Sequence, residues 1–303
     1  MSRRQEPDDA HDRGLAHDLA TLVRRRMVLP QPLLDRRGML GLLGGVSLLG
    51  LVGCSSDAKP SASSSSAVSS SAPASPAGSS SAAGASSAAS ATASGSCAQI
   101  PEETGGPFPG DGTDGPNVLA QSGIVRSDIT TSFGSASGAA RGVPLTVNLT
   151  VLDSSKSCAP LAGGAIYLWH CNIDGSYSLY SQDVRGENYL RGVQATSSSG
   201  LATFKSIFPA AYPGRWPHIH FEVFPSLSSA TSAGSLLRTS QLALPENACN
   251  TVYATDGYGQ SVHNMTQTSL ATDNVFGDGY ESQLATVTGS AGSGLTAALR
   301  VTV

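Results

Sequence analysis

Residues 212–224 read YPGRWPHIHFEVF, and Tyr212, Arg215, His218 and His220 within it make a dense group of reactive side chains. In an extended strand, side chains two residues apart share a face. His218 and His220 therefore project together, with Glu222 and Phe224 further along, while Ile219, Phe221 and Val223 point the other way, toward a core. Two neutral imidazoles side by side are half of a metal site. The same spacing is equally compatible with a pair of surface histidines that bind nothing. Carboxylates to complete a site are sparse, since Glu222 already lies two residues beyond His220. Tyrosine is the abundant donor: all eight follow residue 96, and Tyr177 in NIDGSYSLY and Tyr212 in FPAAYPGRW sit in turn-forming sequence. A phenol at such a turn can swing over the rim of a sheet. Phenolate is a hard anionic oxygen that suits Fe(III), and a trivalent ion would lower a phenol pKa from about 10 until the group ionises. The commoner fate of such a tyrosine is rim packing with a hydrogen-bonded hydroxyl.

The elements that would position these groups are short strands. VPLTVNLTVLD (143–153) alternates apolar and polar residues, and GAIYLWHC (164–171) is rich in strand formers. SSKSCAPLAG separates the two, a loop by composition, so an antiparallel pair is expected. LATFKSIF (201–208), HIHFEVF (218–224), LLRTSQLAL (236–244) and LTAALRVTV (295–303) continue the pattern between Gly, Ser, Pro and Asn breaks. No long amphipathic helix is evident, and PENACNTVYA is expected to make one or two helical turns. The expectation is an all-β, antiparallel β-sandwich.

The strands occupy 207 residues, 97–303, with nine basic and fifteen acidic side chains, a net of −6. That balance argues against nucleic-acid binding through a basic face. The chain before them is of another kind. Residues 1–40 hold eight Arg and six acidic residues, and 38–53 (GMLGLLGGVSLLGLVG) hold no charge. This apolar run is short for a membrane span of about 20 residues and fits an export h-region. Arg36 and Arg37 precede it as in a twin-arginine signal, and LVGC ends it as in a bacterial lipobox, with Cys54 the residue that would carry a lipid. An uncleaved anchor with an incidental Cys is the alternative. Residues 55–96 are Ser or Ala at 32 of 42 positions, too poor in large apolar groups to fold, and read as a disordered tether. The expected organisation is an export signal over 1–54, a linker over 55–96 and one domain over 97–303, displayed outside the cytoplasmic membrane.

Four cysteines remain in the domain: Cys97, Cys158, Cys171 and Cys249. In an exported chain this even number suggests two disulfides. Cys158 and Cys171 flank a strand of about eight residues, some 26 Å long at about 3.3 Å per residue, and are expected not to pair. The other two pairings stay open.

GGAIYLWHCNIDGSYS, YLRGVQATSSSGLATFKSIFPAAYPGRWPHIHFEVF and PEETGGPFPGDG together resemble the intradiol ring-cleavage dioxygenases, the family of catechol 1,2- and protocatechuate 3,4-dioxygenase. The likeness spans most of 97–245, and only five residues between Tyr212 and His218 resemble its exported branch. It implies a non-haem Fe(III) held by Tyr177, Tyr212, His218 and His220, with Tyr212 and His218 axial. It implies that Tyr212 doubles as general base, that Arg215 balances charge on the bound substrate, and that Gln241 lies beside the reacting ring. It also implies a small aromatic diol and O2 as substrates. Phe108 and Trp216 depart from the family's usual residues, which bears on substrate choice more than on ligation.

Two other readings compete. A tethered cell-surface β-sandwich that only binds explains signal, tether and fold, but not why Tyr177, Tyr212, Arg215 and the His pair arrive as a set. A zinc hydrolase would use His218, His220 and a carboxylate such as Glu222 or Asp174. The oligomeric state is left open by the sequence.

Overall fold

The computed structural model describes residues 97–232 and 234–303. The expected export signal, Cys54 and the Ser/Ala tether lie outside those residues. Among the described residues no helix is long and apolar enough to cross a membrane.

Among the described residues nine strands form two sheets. The first holds β1 (Pro144–Asp153), β2 (Ala159–Pro160), β5 (Leu201–Ile207), β8 (Thr286–Ser290) and β9 (Gly294–Thr302). The second runs in the order β4 (Arg191–Ala195), β3 (Ala165–Trp169), β6 (His218–Phe224), β7 (Arg238–Ala243). Pairing is antiparallel throughout, except that β1 and β9 run parallel. Among the described residues three short α-helices intervene: α1 (Leu227–Thr231), α2 (Glu246–Tyr253) and α3 (Gly259–Met265). Only α2, within PENACNTVYA, was expected.

The core lies between the sheets. Leu145, Val147, Leu149 and Val151 of β1 alternate inward and meet Ile166 and Leu168 of β3 and Ile219, Phe221 and Val223 of β6. Each such side chain contributes about 1.5–3 kcal/mol when fully buried. The expected hairpin of β1 with β3 does not form. β1 takes β5 and β9 as neighbours and β3 takes β4 and β6, so the two runs belong to opposite sheets. The reason lies on the outer face of β3. Ala165, Tyr167 and Trp169 join a second apolar cluster with Val118, Leu119, Ile124, Tyr177 and Val193. Every residue of β3 and β6 is buried, so these strands need cover on both faces. Parts of the segment before β1 supply it.

Of the two expected disulfides one is present, Cys97–Cys158, tying the start of the domain to the end of β1. Cys171 and Cys249 remain thiols because they are buried in different clusters. Burial pushes the Cys171 thiol up to about 12.

Candidate metal centre

The site forms where two turns meet the ends of β3 and β6. After β3 the chain reverses through Asn172, whose Oδ1 accepts the backbone N–H groups of Asp174 and Ser176, both at 2.9 Å. Gly175 completes the reversal at φ +82°, with an added Cβ only 3.1 Å from Cβ of Tyr212. This asparagine-nucleated turn aims the ring of Tyr177 inward. The second turn is Tyr212–Pro213–Gly214–Arg215, closed by Arg215 N–H to Tyr212 O at 3.4 Å. Proline second and a glycine at φ +81° third is the pattern of a type II turn. It brings Tyr212 and Arg215 to one rim, and β6 starts three residues later.

Four donor atoms converge. Tyr177 Oη lies 3.5 Å from Tyr212 Oη, Tyr212 Oη 3.1 Å from His218 Nε2, and His218 Nε2 3.1 Å from His220 Nε2. Tyr177, His218 and His220 are buried, whereas Tyr212 is partly exposed. Sequence register explains the histidines: His220 pairs with Trp169 on β3 and with Gln241 on β7, so it sits mid-sheet on the outer face.

Protonation follows from burial. Desolvation, then the Arg215 charge, holds His218 well below the usual imidazole range; desolvation, then His218, does the same to His220. Both rings are therefore neutral. His218 Nδ1 faces the carbonyl of Trp216 at 2.5 Å. A carbonyl only accepts, so Nδ1 carries the proton and the Nε2 lone pair faces the cluster. Desolvation, then Tyr212, keeps the Tyr177 phenol well above 10, so only a strong local positive charge would ionise it.

These residues fit a metal ion. The separations of 3.1 to 3.5 Å between successive donors suit atoms sharing one ion through bonds of about 2 Å. His218 Nε2 is also crowded: Tyr212 Oη, His220 Nε2 and Arg215 Nη1 all lie within 3.5 Å of it. One lone pair cannot serve all three, and a central cation would relieve the conflict. Two phenols and two imidazoles favour a hard trivalent ion. The carboxylate alternative loses its third ligand. Glu222 bonds Thr239 Oγ1 at 3.4 Å and Asp174 is exposed on its turn. Among the described residues, no three His, Cys, Asp or Glu side chains group to hold an ion.

Arg215 and Gln241 lie beside the cluster. Gln241 Oε1 accepts from Arg215 Nη2 at 2.7 Å, and its Nε2 donates to Thr104 O at 2.9 Å. Burial opposes the Arg215 charge, but Tyr212 and Asp273 outweigh it, and the guanidinium stays protonated. Phe108 packs against Tyr177, with centroids 5.0 Å apart, and Trp216 packs with Val275 and Phe276. A groove of about 720 Å³, lined in part by Trp216, Tyr253 and Tyr280, contains none of the four donors.

Three contributors escaped sequence reasoning. Asp273 grips Arg215 from a loop with no motif. Arg191 is fully buried with no acidic partner among the described residues, and its N–H groups go to Phe108 O, Pro109 O, Ser178 O, Ser178 Oγ and Tyr167 Oη. It clamps the Tyr177 turn to the segment around Phe108; a lone Arg in YLRGV was its only signal. Gly106 crosses over His220, an added Cβ lying 3.3 Å from Cε1, at φ +67°. Only glycine tolerates both conditions.

Residues 114–228 match the family described as Dioxygenase. Among solved structures the chain is similar to an intradiol ring-cleavage dioxygenase from Tetranychus urticae, at 24% identity and a TM-score of 0.53, over 68% of this chain and 94% of that one. It also matches hydroxyquinol 1,2-dioxygenase from Pseudomonas putida DLL-E4, at 17% identity and a TM-score of 0.42, over 69% and 68% of the two chains. No curated protein matches the chain. A dioxygenase family thus matches over residues 114–228, and the domain shares the fold of an intradiol ring-cleavage dioxygenase.

Proposed function

We propose that residues 97–303 cleave a catechol-type aromatic diol with O2 at a non-haem Fe(III) held by Tyr177, Tyr212, His218 and His220. The ring opens between the two hydroxylated carbons, and both oxygen atoms enter the product, a cis,cis-muconate-type diacid. No external reductant is required. The observation that carries this reading is the convergence of two phenol oxygens with two imidazole nitrogens, each within 3.5 Å of the next.

A ferric ion bound there would act as Lewis acid and template for the diol and O2. The chain's own groups have separate tasks. His218 and His220 present unprotonated Nε2 atoms. Tyr212 is the partly exposed donor, so it has room to turn outward and take a substrate hydroxyl proton at Oη as general base. Arg215, buried beside it, offsets negative charge that develops on the ring and oxygens, where low dielectric magnifies its effect. Gln241 anchors that guanidinium. The buried setting of Tyr177, His218 and His220 keeps bulk water from the reacting atoms.

The test is oxygen uptake by the iron-loaded domain with a panel of substituted catechols and hydroxyquinol, with products identified by mass. A product richer by two oxygen atoms is expected. No uptake with any diol would overturn the proposal.

We also propose that this domain is exported and leashed by its Ser/Ala linker to a lipid on Cys54. The order of apolar run, small residue, Cys and Ser-rich segment supports this, as does Cys97–Cys158, since disulfides persist in oxidising compartments. Mass analysis of the mature N-terminus tests it. A chain starting upstream of Cys54 without lipid would refute it.

A further inference from the structure

Asp273 is a buried carboxylate on the loop between α3 and β8. Its Oδ2 accepts from Arg215 Nε at 3.0 Å and from the backbone N–H of Trp216 at 2.7 Å. Its Oδ1 accepts from the N–H groups of Val275 at 2.9 Å and Phe276 at 3.2 Å, and from Arg215 Nη2 at 3.4 Å. Gln241 takes Nη2 at 2.7 Å. The Nε and Nη2 side of the guanidinium is thereby occupied. Nη1 is left facing His218 Nε2 at 3.5 Å, so the positive edge is turned toward the four donors and the balancing charge sits behind it.

We propose that Asp273 is a positioning residue for the reaction: it orients Arg215 so that Nη1 meets the charge developing on the substrate. This rests on the oxygenase reading above. The loop around Asp273 is then part of the active site, although none of its residues is among the four donors. Phe276 on the same loop stands with its ring 6.4 Å from that of His218. The physical argument has two parts. A buried guanidinium without a counter-charge is costly, and a carboxylate fixed by three backbone N–H groups is a rigid anchor for it. A catalytic charge misplaced by about 1 Å can cost about 100-fold in rate.

The test is a double-mutant cycle in the iron-loaded domain using Asp273→Asn and Arg215→Gln. Asp273→Asn should lower kcat about 100-fold, leaving KM and the visible absorption of the iron site little changed. In the Arg215→Gln background the same change should alter kcat by no more than about twofold, because Asp273 acts through Arg215. Asp273→Glu, which keeps the charge, should recover part of the loss and serves in the cycle if the Asn variant does not fold. Equal losses in both backgrounds, or an undiminished kcat, would overturn the inference while the oxygenase reading stands. A wild-type domain that consumes no oxygen would overturn both.

Discussion

Trp169 and His220 stand opposite each other on β3 and β6, and their rings stack 4.9 Å apart with an interplanar angle of 7°. The contact matters because His220 Nδ1 is buried without a hydrogen-bond partner among the described residues. His218 is oriented through a carbonyl at its Nδ1, whereas His220 is oriented by an indole face. Trp169→Leu should therefore free the His220 ring and weaken iron retention about 10-fold or more, by analogy with groups that orient metal-bound imidazoles. Iron remaining after dialysis against a chelator, wild type beside variant, measures this; equal retention would show that the stack is not what holds the ring.

The iron-loaded domain should be wine-red from phenolate-to-iron absorption. Tyr177→Phe and Tyr212→Phe should each shift or bleach that band. An unchanged visible spectrum in both variants would remove these tyrosines from the centre.

Gly214 holds φ +81° with open space around it, so alanine there meets backbone strain and no clash. Gly214→Ala should cost about 1–2 kcal/mol. Activity should fall by more than stability does, since the same turn carries Tyr212 and Arg215. Thermal melts paired with oxygen-uptake rates check the two effects separately, and wild-type activity in a folded variant would contradict the coupling.

Arg191→Met would remove the Arg191 donor from the carbonyls of Phe108 and Ser178 in a buried setting, while Pro109 O keeps the hydroxyl of Tyr167 at 2.6 Å. Unsatisfied buried acceptors cost about 1–3 kcal/mol apiece, so a loss of several kcal/mol is expected. Arg191→Lys keeps the charge but not the fork, and should recover only part. Urea midpoints rank the three proteins; a Met variant as stable as wild type would show that Arg191 does not clamp the turn.

His170 bridges Cys171 O and Ser206 Oγ, and burial depresses its pKa to about 4 from the ordinary 6.5. Between those values the unfolded chain binds a proton that the folded domain refuses. Stability from this group is thus present above pH 6.5 and lost as pH falls toward 4, by up to about 3 kcal/mol. Glu103, raised to about 7 from 4.5 by burial and then by Asp278, acts in the opposite sense, favouring the folded state as pH drops from 7 toward 4.5. Comparing wild type with His170→Gln in urea from pH 7 to 4 isolates the histidine: the variant should show the shallower acid loss, and parallel curves would refute the assignment.

Much of the site was legible in the primary structure because its donors sit in local patterns. The alternation in HIHFEVF puts His218 and His220 on one face, and YPGR encodes a turn through Pro213 and Gly214 whatever surrounds it. DGSYS with Asn172 does the same for Tyr177. The strand runs were legible too, and their bounds shifted by no more than two residues. What was not legible depends on distant partners. β4 and β8 are short and mixed in polarity, so nothing local marks them. The β1–β3 hairpin was expected from sequence adjacency, but the outward Tyr167 and Trp169 needed a second cover and drew β3 into the other sheet. Cys171 and Cys249 count toward an even number in composition, yet they occupy separate clusters.

The sequence alone determined which atoms can reach the centre, because strand alternation and turn chemistry act over two to four residues. Tertiary structure decided how those atoms are held. It set Trp169 against His220, placed Gly106 across the same ring, and brought Asp273 behind Arg215 from 58 residues away. No local rule links such residues, since their contacts exist only once two sheets and their covering loops have packed.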